Sequence, residues 1–351
     1  MGINKGDSGE TEIDMPELWE LVVVDRPRRS RSAEVLASVP AIVAGTGERA
    51  AWRFLEFFTA NIRNKNTRAA YARAIRLFCD FLEARGLRDL AHVNPVVVAG
   101  YVEQLGERFS KPTVKQHLAA IRMLMDYLVT GGVLPFNPAS SVRGPKHVVK
   151  RGKTPVLSAA EARTLLDSIA VTHEDGSTDV IGLRDRALIG VMVFSFARVG
   201  AAVTMKAEDY YAQGKRWWFR LHEKGGKRHD VPAHHNAEAY VDAYLEATGP
   251  ASERKTPLFR TTRARTGELT ERPFTRNDAL RMIKRRAKAA GLSPAVCCHT
   301  FRATGITAYL ENGGTIENAQ AIAAHESPRT TKLYDRTNDQ LTLDEIERIA
   351  I

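Results

Sequence analysis

The chain is short of thiols, of long apolar runs and of acidic side chains, and each shortage removes a class of protein from consideration. Its three cysteines are Cys79, Cys297 and Cys298, an odd number with two of them adjacent. A disulfide framework or a structural zinc site needs paired, spaced thiols, so both are excluded, and a reducing, cytosolic setting is expected. The longest apolar stretch, residues 187–197, falls well short of the roughly 20 residues that cross a bilayer and reads as a buried helix. The first residues include Asp7, Glu10, Glu12 and Asp14, unlike the basic-then-apolar start of a secretory signal. Position 6 lacks the Ser or Thr of the N-myristoylation pattern. There is no internal repeat and no low-complexity tract. No clustered carboxylates suggest a divalent metal site, and neither a metal nor a cofactor is expected.

Against 41 acidic residues stand 51 lysines and arginines, a net charge of +10 over 351 residues. Such an excess favours polyanionic partners, nucleic acid before an anionic membrane surface. An apolar content of 44% can fill an ordinary core, and the length suits two domains.

Residues 1–45 read as a flexible leader that contains the basic, proline-interrupted stretch Asp25-Arg26-Pro27-Arg28-Arg29-Ser30-Arg31. Helical spacing begins after Thr46, a candidate cap, with Trp52, Leu55, Phe58 and Ile62 on one face. Thr67 is a candidate cap for a second helix that carries Tyr71, Ile75, Phe78 and Leu82 and stops at Gly86. Pro95 suits the first turn of a third, and a fourth runs from near Lys111 to Gly131-Gly132. Four amphipathic helices with short connections predict a bundle over residues 46–143. The stretch 144–156, rich in Lys, Gly and Pro, reads as a basic linker. Residues 157–351 open on a capping box, Ser158 with Glu161, and form a mostly helical second domain with a small hairpin. The hairpin pairs Arg216–Leu221 with Arg228–Pro232 across the turn Lys224-Gly225-Gly226-Lys227. That turn lacks the leading glycine and the trailing Ser or Thr of a nucleotide-binding loop. The predicted class is therefore mainly α: a helical-bundle N-terminal domain, then a mixed α/β domain with a small β-sheet.

Basic side chains gather where two of the bundle helices start: Arg63, Lys65 and Arg68, then Lys111 and Lys115. Helix N-termini also present free amides to phosphate. Phosphate contact and plain solvated charge both remain open for this group, and Lys227 on the hairpin turn joins it as a candidate.

The second domain spaces out Arg198, Lys224, His299, Arg302, His325 and Tyr334. Together these side chains make a poor core and a good cage for a phosphate diester. Arginine pairs two phosphate oxygens with a planar fork and keeps its charge. Histidine exchanges protons near neutral pH, lysine can serve as an acid, and a tyrosine hydroxyl can be a nucleophile. A tyrosine with the usual pKa of about 10 is ionised about once in a thousand at pH 7, a penalty of roughly 4 kcal/mol. Surrounding cations are expected to offset that penalty. The spacing His299-Thr300-Phe301-Arg302 puts both basic residues on one face if the segment is helical.

This series resembles the tyrosine recombinase (phage integrase) family: Arg, Lys on a β-turn, His-x-x-Arg, His or Trp, then Tyr. It is carried by Ala197-Arg198-Val199, the Lys224 turn, His299-Thr300-Phe301-Arg302, Ala324-His325-Glu326 and Thr331-Lys332-Leu333-Tyr334. Asn66-Thr67-Arg68 with Tyr71 and Phe78, and Thr113 with Leu118 and Ile121, resemble the family's helical core-binding domain. The likeness spans about residues 46–345 and is nearest to simple recombinases of the Cre or Xer type. Ala201, where the family often has an acid, and Ala324, where glycine usually precedes the histidine, depart from the pattern. Both departures are expected to bear on local packing.

The resemblance implies a site-specific recombinase that cleaves and rejoins DNA through a 3′-phosphotyrosyl bond to Tyr334, with strand exchange in a tetramer. Arg198, Arg302 and His325 would hold the phosphate, His299 would assist proton removal from Tyr334, and Lys224 would protonate the leaving 5′ oxygen. It further implies double-stranded DNA with inverted-repeat half-sites as the partner, an accessory protein as an optional one, and a cytoplasmic, nucleoid-associated location. Beyond Tyr334, Leu341, Leu343, Ile346 and Ile349 mark a short helix that could dock in its own domain or on a neighbour. A type IB topoisomerase-like enzyme and a non-catalytic DNA-binding protein are the alternatives.

Overall fold

The computed structural model describes residues 36–148, 152–223, 226–249, 254–263 and 268–335. The chain divides between Val148 and Val149 into two compact units.

The first unit is a helical bundle of α1 (Ala41–Gly45), α2 (Glu48–Glu56), α3 (Lys65–Glu83), α4 (Pro95–Arg108) and α5 (Lys111–Thr130). A π-helical turn, Phe57–Asn61, continues α2. Ile75, Phe78 and Leu82 of α3 and Leu118, Ile121 and Leu124 of α5 are buried at helical spacing and build the core. Three readings of the sequence are corrected here. The cap of α3 is Asn64, whose side chain accepts from the amides of Asn66 and Thr67, so Thr67 lies inside the helix. Thr46 ends α1 instead of starting α2: its hydroxyl donates to the Ile42 carbonyl at 2.8 Å and accepts from the Leu90 amide at 2.9 Å. Helix α1 itself lies within the presumed leader. Ile42 and Val43 are buried in the core, and a Cβ on Gly45 would lie 2.0 Å from the Arg88 carbonyl, so only glycine allows this approach. Leu55, Phe58 and Ile62 are buried at their helical spacing, while Trp52 is 39% exposed.

The second unit holds α6 (Ala159–Asp167), α7 (Val180–Phe194), α8 (Val199–Val203), α9 (His235–Thr248), α10 (Arg276–Ala289), α11 (Cys298–Glu311), α12 (Ile316–Ile322) and α13 (Pro328–Lys332). The Ser158–Glu161 capping box opens α6, and a Thr275–Asp278 box opens α10. Helix α7 is buried nearly all round and packs against both α9 and α11, as its unbroken apolar sequence requires. It begins earlier than the apolar run, because the Asp179 side chain accepts from the amides of Ile181 and Gly182. The sheet is antiparallel, β1 (Tyr210–Gln213), β2 (Arg216–His222) and β3 (Arg228–Pro232), with Tyr210 opposite Phe219 and Phe219 opposite Val231. Phe219, Leu221 and Val231 alternate into the core. A second pair, β4 (Arg260–Thr262) with β5 (Leu269–Pro273), completes the mainly α architecture. Among the described residues, no helix is long and apolar enough to cross a membrane.

Candidate active site

The site assembles around α11. Within its first turn, His299 and Arg302 project from one side, as their spacing requires. Arg302 is 1% exposed, and its guanidinium is held by two backbone carbonyls, those of Phe196 and, at 2.6 Å, Ala323. Its Nε is buried with no hydrogen-bond partner. Arginine has five donors, so N–H groups remain for a ligand.

Both carbonyls lie beside or within unusual backbone. Among the described residues only Phe196 (φ 54°) and Ala324 (φ 47°) are non-glycine residues with positive φ. One supplies a carbonyl to Arg302 directly, and the other follows the residue that supplies the second. The left-handed conformation costs an L-residue about 1–2 kcal/mol, so folding spends strain to aim these acceptors. The alanine at 324, where the resemblance leads one to expect glycine, therefore bears on backbone conformation, which is more specific than a packing change.

Arg198 caps the start of α8 and makes a short ion pair with the carboxylate of Glu223 at the end of β2. His325 follows α12. Its amide donates to the Gln320 carbonyl at 3.1 Å, the Gln320 amide donates back to the His325 carbonyl, and its Nδ1 lies 2.9 Å from the buried Thr331 hydroxyl. These bonds fix the ring, which stacks nearly parallel to Tyr334 with centroids 5.9 Å apart.

Tyr334, just past α13, is buried among Phe196, Ala303, Ile306 and Ala323. The Thr307 hydroxyl donates to its carbonyl at 2.9 Å. Its own hydroxyl lies 2.7 Å from His299 Nε2. Burial, then Arg302 and Arg198, hold the His299 pKa below its ordinary value. Its ring is thus neutral at neutral pH, and in the tautomer protonated at Nδ1 its Nε2 accepts from the phenol. Burial, then the charges of Arg302 and Arg198 and the neighbouring His299, push His325 down to about 3. The cations do not bring Tyr334 below its ordinary range. Burial raises its pKa, and Arg302 and Arg198 only oppose that rise. The expected offset of the ionisation penalty is therefore incomplete without a ligand, and the phenol keeps its proton, hydrogen-bonded to a base.

Five of the six residues named from sequence thus converge: Arg198, His299, Arg302, His325 and Tyr334. Lys224 lies outside the described residues, as do the basic stretch 25–31 and the apolar positions 341–349. Lys227 is exposed and shares with His229, Gln320 and His325 the lining of a hollow of about 260 Å³. Arg63, Lys65, Lys111 and Lys115 are exposed on the first unit. Arg68 is half-buried and donates through Nε and a terminal nitrogen to the Ile62 carbonyl at 3.0 and 2.8 Å, which closes the turn before α3. Glu223, Gln320, Thr307 and Thr331 were not found from sequence. Only Glu223 carried a signal there, as an acid abutting Lys224. Among the described residues, no group of three His, Cys, Asp or Glu side chains is placed to hold a metal ion.

Comparison with known proteins bears on the same residues. The phage integrase family matches residues 155–340, and the phage integrase N-terminal SAM-like domain matches residues 53–132. The chain belongs to the phage integrase family. Among curated members, the tyrosine recombinase XerD of Corynebacterium glutamicum is 29% identical over 275 residues, covering 77% of this chain and 86% of that protein. XerD of Listeria monocytogenes is 28% identical, covering 77% and 87%. Solved structures share the fold at low identity. The XerH site-specific recombinase bound to a palindromic difH substrate, a post-cleavage complex, aligns with TM-score 0.67 at 17% identity, over 90% of this chain and 98% of that one. A lambda integrase tetramer bound to a Holliday junction aligns with TM-score 0.60 at 18% identity, over 83% and 78%. This phage integrase family member is accordingly a XerD-like tyrosine recombinase, a DNA breaking-and-rejoining enzyme.

Proposed function

We propose that this recombinase cleaves double-stranded DNA at a specific site through Tyr334 and exchanges strands in a DNA-bound tetramer. The Tyr334 oxygen attacks the scissile phosphorus, the P–O5′ bond breaks, and a 3′-phosphotyrosyl link and a free 5′ hydroxyl result. The phenolic proton passes to His299, and Lys224 gives a proton to the departing 5′ oxygen. Arg198, Arg302 and His325 hold the non-bridging oxygens, and the preorganised charge of the two arginines is the largest catalytic contribution. Rejoining reverses these steps with a 5′ hydroxyl from the partner strand.

The observation that carries this reading is the 2.7 Å hydrogen bond between Tyr334 and a neutral His299, beside a buried arginine with an unpartnered Nε. A nucleophile already bonded to its base, next to an unfilled cation, suits a phosphate ligand. Residues 46–143 would grip the duplex through Arg63, Lys65, Lys111 and Lys115, with 144–156 as the basic connection to the catalytic domain at 157–351. The DNA partner would carry inverted-repeat half-sites, with an accessory protein as an optional component, in the cytoplasm at the nucleoid.

A nicked suicide substrate carrying the native site tests the assignment. Wild-type protein should accumulate a covalent protein–DNA adduct, and Tyr334→Phe should accumulate none while still binding. Equal trapping by Tyr334→Phe would remove Tyr334 as nucleophile. Relaxation of supercoiled plasmid that lacks the site would favour topoisomerase-like action instead.

A further inference from the structure

Helix α8 places no carboxylate behind Arg198: its residues are Val199, Gly200, Ala201, Ala202 and Val203. The anion that meets Arg198 comes from another element. Glu223 sits at the end of β2, and its carboxylate is 3% exposed while the Arg198 side chain is 37% exposed. The pair thus joins a buried carboxylate to an arginine whose side chain is partly open to solvent. Glu223 also anchors the hairpin turn. Its amide donates to the Lys227 carbonyl at 2.8 Å, and its own carbonyl accepts from the Gly226 amide at 3.3 Å. The next residue in sequence is Lys224.

The charges around this group explain why an acid is needed. Arg198 disfavours the charge on Arg302, and both arginines act on His299, His325 and Tyr334. Glu223 acts on Arg302 in the opposite sense and favours its charged form. Before DNA arrives, the pair of guanidiniums has no phosphate to hold it together. A long, half-exposed arginine with no fixed partner would sample many rotamers and reach the phosphate at an entropic cost.

We propose that Glu223 is a positioning residue that fixes Arg198 for the scissile phosphate. It acts through Arg198 and does not touch the reacting atoms. The inference rests on the recombinase reading above, and its failure is separable from that reading's failure.

The test is single-turnover adduct formation by the full chain on the nicked substrate, with wild type, Glu223→Gln, Glu223→Asp, Arg198→Ala and the double variant Arg198→Ala/Glu223→Gln. Glu223→Gln should slow adduct formation by about 10- to 100-fold, the scale of a misplaced clamp. The DNA concentration at half-saturation should stay within about threefold, because the loss lies in the transition state. Glu223→Asp, which keeps the charge, should recover part of the rate. In the Arg198→Ala background, Glu223→Gln should cost less than about twofold, because its effect runs through Arg198. An undiminished cost in that background would make Glu223 a merely structural residue. A wild-type or faster rate in Glu223→Gln would overturn positioning, and the faster rate would mean that the carboxylate restrains Arg198. If Glu223→Gln fails to fold, Glu223→Asp with a wild-type melting temperature carries the test: an unchanged rate overturns the proposal, and a slowed rate at unchanged half-saturation supports it. Absence of any wild-type adduct would instead defeat the recombinase reading itself.

Discussion

The site depends on residues whose individual chemistry is ordinary and whose surroundings are not. Arg302 is an arginine that solvent cannot reach, oriented by two backbone carbonyls instead of by carboxylates. A carboxylate there would neutralise the charge that a phosphate needs, whereas a carbonyl aims the guanidinium and leaves the charge intact. The cost falls on the backbone at Phe196 and Ala324. That cost is testable at Ala324. Glycine populates the left-handed region without a Cβ penalty, and its gain is partly cancelled by the greater freedom of glycine in the unfolded chain. Ala324→Gly should therefore stabilise the protein by about 0.5–1 kcal/mol. Chemical denaturation would measure it as a higher midpoint at unchanged slope. A destabilisation of similar size would mean that the alanine methyl makes packing contacts worth more than the strain. The strain itself was not visible in sequence. The departure from glycine at this position was, but its meaning requires the φ angle.

At the scale of elements, the site is a consequence of how closely α11 lies on α7. A Cβ on Gly305 would meet the Val193 carbonyl at 2.1 Å and the Phe196 ring at 2.8 Å. Gly305 stands one turn beyond Arg302, and Phe196 supplies one of the carbonyls that hold Arg302. Gly305→Ala must therefore push α11 off α7 or displace Phe196. A loss of about 1–3 kcal/mol in stability is expected, the usual cost of overpacking a buried contact. Adduct formation should fall further than DNA binding, because Arg302 and His299 move with the helix. Normal cleavage together with normal melting would show that the two helices can slide apart without consequence. Sequence reading succeeded where an element has a strong local signature. The apolar run of α7, the capping boxes of α6 and α10, the proline at the start of α4, and the strand–turn–strand of β2 and β3 were all legible. It missed β1 and the β4–β5 pair. These strands are short and polar, and partners distant in sequence specify them: Tyr210 faces Phe219, and the Thr261 and Thr270 hydroxyls lie 2.6 Å apart. It misplaced two helix starts for a related reason. Thr46 and Asn64 compete with neighbouring polar residues for the cap, and a tertiary contact, the Leu90 amide on the Thr46 hydroxyl, settles the first case. The site residues were legible as a series of types. Their convergence was not, since it depends on α11, α12 and α13 folding back on one another.

For the molecule as a whole, the same burial that keeps the site's histidines neutral ties stability to pH. His325 is 6% exposed, and its pKa lies near 3, against an unfolded value of about 6.5. Between these values the unfolded chain binds a proton that the folded chain refuses. Stability therefore rises with pH through this window. The contribution is complete above about 6.5 and is lost progressively as pH falls toward 3. His299 and the buried bundle histidine, His117, are shifted in the same direction, each chiefly by burial. Acidification from pH 7 to pH 5 should cost the catalytic unit about 2 kcal/mol through His325 alone, at 1.36 kcal/mol per pH unit. For a unit of this size that is roughly 4–8 °C in melting temperature. Calorimetry of wild type and His325→Gln at both pH values isolates the effect. Whatever its starting value at pH 7, the variant's decline on acidification should be shallower by that amount. Parallel declines for the two proteins would show that the His325 ring takes up its proton in the folded state as readily as in the unfolded one, and would rule out burial beside Arg302 and Arg198 as the cause of its neutrality.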